Sequence, residues 1–392
     1  PQTDPSITMN RNLLLVTISL CLWGIGEGFF IYFQPLYLQE LGADPILIGT
    51  VFGAMGIAMA VAQVPTGYLS DRFGSRSIMW LSWILGSVAG WTMALANGLP
   101  AFIVGLILYG LTGFVVAPMN SYITTVRGKY SVGRALALPS GFYSLGAVLG
   151  PILGGLVADK LELRSVYFLA GTLFVISTIV IFFVQKHPES HHSDLDSAQP
   201  RGLLKNTRFL GFLAVTLITL FAIYLPQPFT PSFLQNQQQL SRTTIGILGA
   251  FGSLGSAVAM LSLSHLKPLT GFFVAQAWMV LFSLLFLFGK STLWFGLGYF
   301  FIGGYRLCRV MVLAIARTLI HPKETGLAYG LVETMSSVTV ILAPVLAGFL
   351  YRNDPYSIYR VSLVLLVIVM AANLLVFSTL NKRKVNADVS AN

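Results

Sequence analysis

Four ionisable side chains lie deep inside long apolar runs of this chain: Glu27, Arg306, Arg309 and Glu333. A charge held at mid-membrane costs at least about 2.5–3.5 kcal/mol on insertion scales, so each should face a water-filled cavity or a partner of opposite sign. A carboxyl tuned by such surroundings can load and release a proton near neutral pH. An arginine keeps its charge under almost any conditions and suits a carboxylate or phosphate. Arg309 and Glu333 fall at similar depth on consecutive runs, about four and five residues from the centre of each, which predicts an ion pair. Glu27 and Arg306 fall near the centres of their own runs, and a static salt bridge between them is the alternative to a proton site. Three glycines, Gly24, Gly26 and Gly28, flank Glu27 and are expected to keep its surroundings open.

Other chemistries find no support. No Ser/His/Asp set, metal-ligand cluster or phosphate-binding glycine loop stands at a defensible spacing, so an enzyme is not expected, and neither cofactor nor metal is implied. Cys21 and Cys308 both sit inside apolar runs, which argues against a disulfide framework or a cysteine-based zinc site. His187, His191 and His192 lie in a polar stretch that fixes no ligand geometry, so a flexible linker is the better reading.

The elements that must position these residues are membrane spans. The chain has 392 residues, 55% hydrophobic and 10% charged, with mean hydropathy +0.76. Soluble domains carry roughly 25% charged residues. Apolar runs of the length needed to cross about 30 Å of hydrocarbon recur from end to end. Twelve spans are expected, at 12–40, 45–70, 77–96, 99–126, 134–159, 164–185, 208–235, 243–265, 270–289, 292–318, 325–351 and 357–380. The short alternating segments of a β-barrel are not evident. The fold class is therefore an all-α membrane protein, with an N-terminal half at 9–185, a linker at 186–207 and a C-terminal half at 208–381.

The net charge of +10 does not indicate nucleic acid, because its placement follows loops rather than a basic stripe. Of 24 lysines and arginines, six fall in loops on one side: Lys160, Arg164, Arg242, Lys290, Arg352 and Arg360. Sixteen fall on the other, which puts both termini in the cytoplasm.

The two halves repeat. Pro35-Leu36-Tyr37-Leu38-Gln39 matches Pro231-Ser232-Phe233-Leu234-Gln235, Ile48-Gly49 matches Ile245-Gly246, and the stretch from Leu149 to Gly155 matches that from Leu342 to Gly348. Three matches in chain order at nearly constant offset indicate an internal duplication.

Two motifs give the duplication a family. The loop after the second span reads Gly67-Tyr68-Leu69-Ser70-Asp71-Arg72-Phe73-Gly74-Ser75-Arg76. It resembles the signature of the major facilitator transporters. The fifth span carries Gly146, Gly150, Pro151, Gly154 and Gly155, similar to the antiporter motif of drug/proton exporters in that family. The resemblance implies two pseudo-symmetric six-helix halves with the substrate site between them near the midplane. It implies that Asp71, with Arg72, Arg76 and Arg127 as partners, sits at the cytoplasmic start of span 11 and favours the outward-facing state, with Glu333 part of the same switching machinery. It also implies that spans 1, 4, 7 and 10 line the cavity, where Gln34, Tyr109, Asn120, Gln227, Tyr305, Arg306 and Arg309 would meet substrate beside Trp23, Phe30, Tyr122 and Phe229. One position departs from the exporters: Tyr109 stands where they often carry an arginine.

These readings predict a monomeric transporter of the plasma (inner) membrane, working by alternating access. Protons would drive it through Glu27, and amphipathic organic compounds would be exported. The alternatives are an organic-anion transporter or anionic-lipid flippase using the span-10 arginines, or a non-transporting receptor or scaffold.

Overall fold

The structure is a computed structural model. It describes residues 10–63, 65–186, 206–263, 265–320 and 325–389, with backbone alone at 67, 71, 325–327 and 375–389. Among the described residues, twelve helices are long and apolar enough to cross a membrane: span 1 (Arg11–Phe30), span 2 (Pro45–Gln63), span 3 (Ser75–Leu95), span 4 (Leu99–Thr125), span 5 (Val132–Lys160), span 6 (Leu163–Phe182), span 7 (Thr207–Asn236), span 8 (Arg242–Leu263), span 9 (Pro268–Phe288), span 10 (Thr292–Leu319), span 11 (Ala328–Asn353) and span 12 (Ser357–Leu374). Most of the expected linker lies outside the described residues. By contact the chain forms two compact units, Pro1–Leu195 with Phe229–Ser253, and Asp196–Pro228 with Leu254–Asn392.

Spans 1 and 7, and spans 4 and 10, which pair with each other in the repeat, are all interrupted. Span 1 ends at Phe30 and resumes as a short helix, Gln34–Glu40, with Pro35 in its first turn. Span 4 narrows to a 3-10 turn at Thr112–Val115. Span 7 breaks at Gln227–Phe229, between Pro226 and Pro231, and span 10 breaks between Phe301 and Gly304. Proline lacks the N–H that a continuing helix needs, so the breaks in spans 1 and 7 follow from composition. Span 5 by contrast runs unbroken from Val132 to Lys160 through Pro139 and Pro151.

Span 5 packs on span 1 through glycine. Built on Gly146, a Cβ would meet the Cys21 carbonyl oxygen at 2.6 Å; on Gly150, the Ile25 oxygen at 2.5 Å; on Gly154, the Phe29 oxygen at 2.3 Å. Span 1 answers with Gly28, whose Cβ would stand 2.8 Å from the Gly150 Cα. These residues recur every four positions, so one face of span 5 presents bare backbone to span 1.

Spans 1, 3 and 6 are held by hydroxyls instead. Ser19 and Ser177 exchange bonds with each other's side chain and backbone, and Trp83 Nε1 donates to Ser177 Oγ at 2.9 Å. One turn on, Ser87 and Thr178 pair at 2.8 Å. With no water in the hydrocarbon, these groups satisfy one another across helices. In the second unit Ser362 Oγ reaches the Ala222 carbonyl at 2.7 Å, and Phe286 stacks on Tyr359 with centroids 5.1 Å apart.

Ser177→Ala strands the Trp83 N–H, while the Ser19 hydroxyl keeps its bond to the carbonyl of residue 177, and is expected to destabilise the purified protein by about 1–3 kcal/mol. Ser140→Ala, at an exposed site on span 5, should stay within about 0.5 kcal/mol of the parent; thermal unfolding in detergent measures both. Gly150→Ala forces backbone apart and should destabilise by about 1–3 kcal/mol. Gly141 is exposed on the same helix with nothing within 4 Å of an added Cβ. There alanine is expected to leave stability equal or slightly raised, because it favours the helix by roughly 0.5–1 kcal/mol.

Candidate functional site

Glu27 lies one turn before the break in span 1, and its carboxylate is half-buried. Tyr143 of span 5 donates its hydroxyl to Glu27 Oε2 at 2.7 Å. Tyr109 of span 4 faces the same carboxylate. Trp23 stacks on Phe174 at 4.3 Å and lies parallel to Tyr109 at 6.4 Å, while Phe30 meets Tyr109 edge-on at 5.2 Å. The result is one acid in an aromatic surround with a phenol hydroxyl bonded to it. Such a group can exchange a proton or pair with an organic cation over aromatic faces.

The glycines beside Glu27 do not open space, contrary to expectation. A Cβ on Gly24 would meet the Tyr143 carbonyl oxygen at 2.4 Å, and one on Gly26 would meet Phe174 Cε1 at 2.9 Å. They let spans 5 and 6 close on span 1, and that approach delivers Tyr143 to the carboxylate. Tyr143 is the residue that sequence reasoning missed. Its signal was present, since it precedes Gly146 by three residues and so shares the face of the glycine stripe.

In the second unit Arg309 Nη2 and Glu333 Oε2 form an ion pair at 2.5 Å. The sequence predicted this pairing but placed it in the interior. The side chains are 39% and 48% exposed. Tyr305, hydrogen-bonded to Ser336, lies against the pair, and Tyr224 stands 5.6 Å from Tyr305 between centroids. Arg306 is exposed.

The remaining expected substrate residues divide. Asn120 is exposed, Gln227 donates to the Ile223 carbonyl at 3.0 Å, and Gln34 is buried in the first turn of the helix Gln34–Glu40. Phe30, Tyr122 and Phe229 are packed rather than open, and the Tyr122 hydroxyl is bound to the Gln185 carbonyl at 2.6 Å.

The loop motif forms a helix, Thr66–Phe73, containing Gly67 and Asp71. The Asp71 side chain and the side chains of 325–327, at the start of span 11 where Asp71 was expected to lie, are outside the described residues. Gly74 ends this helix and starts span 3 at φ 81°, in the left-handed region that glycine alone enters without strain. Arg76 lies over the Trp80 ring at 3.9 Å, Arg72 approaches the Tyr68 hydroxyl at 3.5 Å, and Arg127 is exposed. Gly155 of the fifth-span motif faces away from span 1: its Cβ would meet the Arg242 carbonyl oxygen of span 8 at 2.6 Å.

Comparison with known proteins agrees with this architecture. The chain is 30% identical over 277 residues to the multidrug resistance protein MdtG of Salmonella paratyphi A (strain ATCC 9150 / SARB42), covering 68% of each, and equally to that of Salmonella newport (strain SL254). Its fold is similar to that of the nucleoside transporter NupG, at TM-score 0.80 and 15% identity over 94% of this chain and 99% of the other. It is also similar to that of a bacterial homologue of the lysosomal transporter Spinster, at TM-score 0.73 and 15% identity over 94% and 96%. The family model described as Major Facilitator Superfamily matches residues 16–308 and 216–391. With the twelve spans, the duplicated sequence and the loop motif, these matches establish that the chain belongs to the major facilitator superfamily of transporters.

Proposed function

We propose that this transporter exports amphipathic organic compounds in exchange for protons, by alternating access across the inner membrane with both termini in the cytoplasm. The observation that carries the reading is the bond from Tyr143 to Glu27 among the rings of Trp23, Tyr109 and Phe30. A carboxylate in that setting accepts a proton when solvent reaches it and gives one up when an organic cation takes its place. Competition for one group couples two movements without a separate relay. The similarity to MdtG, a multidrug resistance protein, supports the substrate class. The anion-carrying reading is weaker, because the Arg309 charge is already met by Glu333.

Glu27→Gln mimics the protonated acid. In proteoliposomes it is expected to abolish accumulation of a lipophilic cationic dye driven by an imposed pH gradient, while the protein remains folded. Tyr143→Phe should slow that export about tenfold, the loss expected for one hydrogen bond to a charged group of about 1.5 kcal/mol. A Glu27→Gln protein that still concentrates dye on the pH gradient alone would dismiss Glu27 as the coupling site.

The Arg309–Glu333 pair is half-exposed, so a double-mutant cycle on stability should give a coupling of about 0.2–1 kcal/mol, as for open ion pairs. A coupling of several kcal/mol would show that the pair is closed off from solvent in the working protein.

A further inference from the structure

On the face opposite the termini, the first compact unit contains pieces of both sequence repeats, and polar groups tie them together. Asp159, at the end of span 5, accepts the Arg242 N–H at 3.0 Å on Oδ1 and the Thr243 N–H at 2.8 Å on Oδ2. Those are the first two N–H groups of span 8, which have no partner within their own helix. A carboxylate there meets both the free donors and the positive end of the helix dipole. The Arg242 guanidinium forms an ion pair with Glu40 through Nη2, and its Nη1 donates to the Ala158 carbonyl at 3.0 Å. Beside them Asn236 Nδ2 donates to Gln39 Oε1 at 3.0 Å.

The backbones beneath are in contact. A Cβ on Gly246 of span 8 would meet the Pro151 oxygen at 2.1 Å, the Tyr32 hydroxyl reaches the Gly249 carbonyl at 3.2 Å, and Ser253 Oγ reaches the Ala147 carbonyl at 3.2 Å. Spans 5 and 8 therefore touch from Ala147 to Asp159, a length of about 18 Å. Helix starts are ordinarily capped by a residue of their own chain segment. Span 2, the repeat counterpart of span 8, follows that rule, with Asp44 Oδ1 accepting the Leu47 N–H at 2.8 Å. Span 8 has Ser241 of its own, yet also takes a carboxylate from the other repeat.

We propose that Asp159, Arg242 and Glu40 form a clasp that holds this face shut, and that the transport cycle must break it to open the outside. The inference rests on the alternating-access reading above. The clasp is strong while assembled and easily lost, since its bonds are to charged groups that water can replace once the helices part. Arg242 is the hinge pin: its backbone, Nη1 and Nη2 bind three different groups of the first repeat.

Cysteines at Gln39 and Asn236, bridged by dibromobimane, report closure of this face without any substrate. The pair should bridge readily in protein whose Cys21 and Cys308 are replaced by serine, measured against each single-cysteine control. Asp159→Asn and Arg242→Ala should each lower the bridging yield about fivefold, the low end of an ordinary coupling between sites. Asp159→Asn is nearly isosteric and keeps the test open if Arg242→Ala does not fold. In proteoliposomes that export ethidium, bridging should stop export. Unchanged yields in both variants, or undiminished export by bridged protein, would overturn the clasp. If no ethidium moves before bridging, the export reading fails while the bridging yields still decide the clasp.

Discussion

The arrangement around Glu27 depends on how closely spans 1 and 5 approach. Gly146, Gly150 and Gly154 present backbone to backbone, and Gly28 returns the contact from span 1. Any larger side chain at these positions would displace a helix rather than a rotamer. The close approach carries Tyr143 within hydrogen-bonding distance of the acid. It also leaves Phe174 room to stack on Trp23, which closes the aromatic surround from the side of span 6. In a soluble protein such an interface would gain little over ordinary packing. In lipid, where no hydrophobic drive pulls helices together, close van der Waals contact is what association rests on.

The same physics decides what was legible in the sequence. Spans are long apolar runs, and each reads without reference to the others, so the twelve helices and the repeat were plain. The Arg309–Glu333 pair was legible because depth along consecutive helices is a matter of counting. Its exposure was not, since counting gives height and not the direction a side chain takes around the helix. The role of Gly24 and Gly26 was misread for a related reason. A glycine beside a charge is compatible with open space or with a neighbour pressed against it, and only the neighbour's identity separates the two. Tyr143 was within reach of the periodicity argument once the glycine stripe had been assigned a partner.

The interruptions of spans 1, 4, 7 and 10 fall between these cases. Pro35 and Pro231 mark two of them, at matching positions of the duplication, although the sequence reading expected spans 1 and 7 as unbroken runs. Spans 4 and 10 break without proline at the break itself, at Thr112–Val115 and before Gly304. Two pairs of equivalent helices interrupted by different local chemistry indicate that the break is required by the fold, not inherited from one residue. An interrupted helix leaves backbone groups free of their own helix, and in a membrane that is tolerated only where protein or an aqueous cavity receives them.

Span 5 links the parts. It carries two prolines and yet stays continuous over 29 residues. Its face toward span 1 holds Tyr143 and the glycine stripe, and its face toward span 8 holds Gly155 and, one turn on, Asp159. Tyr143 and Asp159 are thus about 24 Å apart on one uninterrupted rod. A broken helix could absorb a shift at one end within its own hinge. A continuous one cannot, and the glycine contact denies it the freedom to slide past span 1 without a backbone clash. Any rearrangement that alters the fit of Tyr143 on Glu27 must therefore be borne by span 5 as a whole, and the capped start of span 8 stands at the far end of that lever.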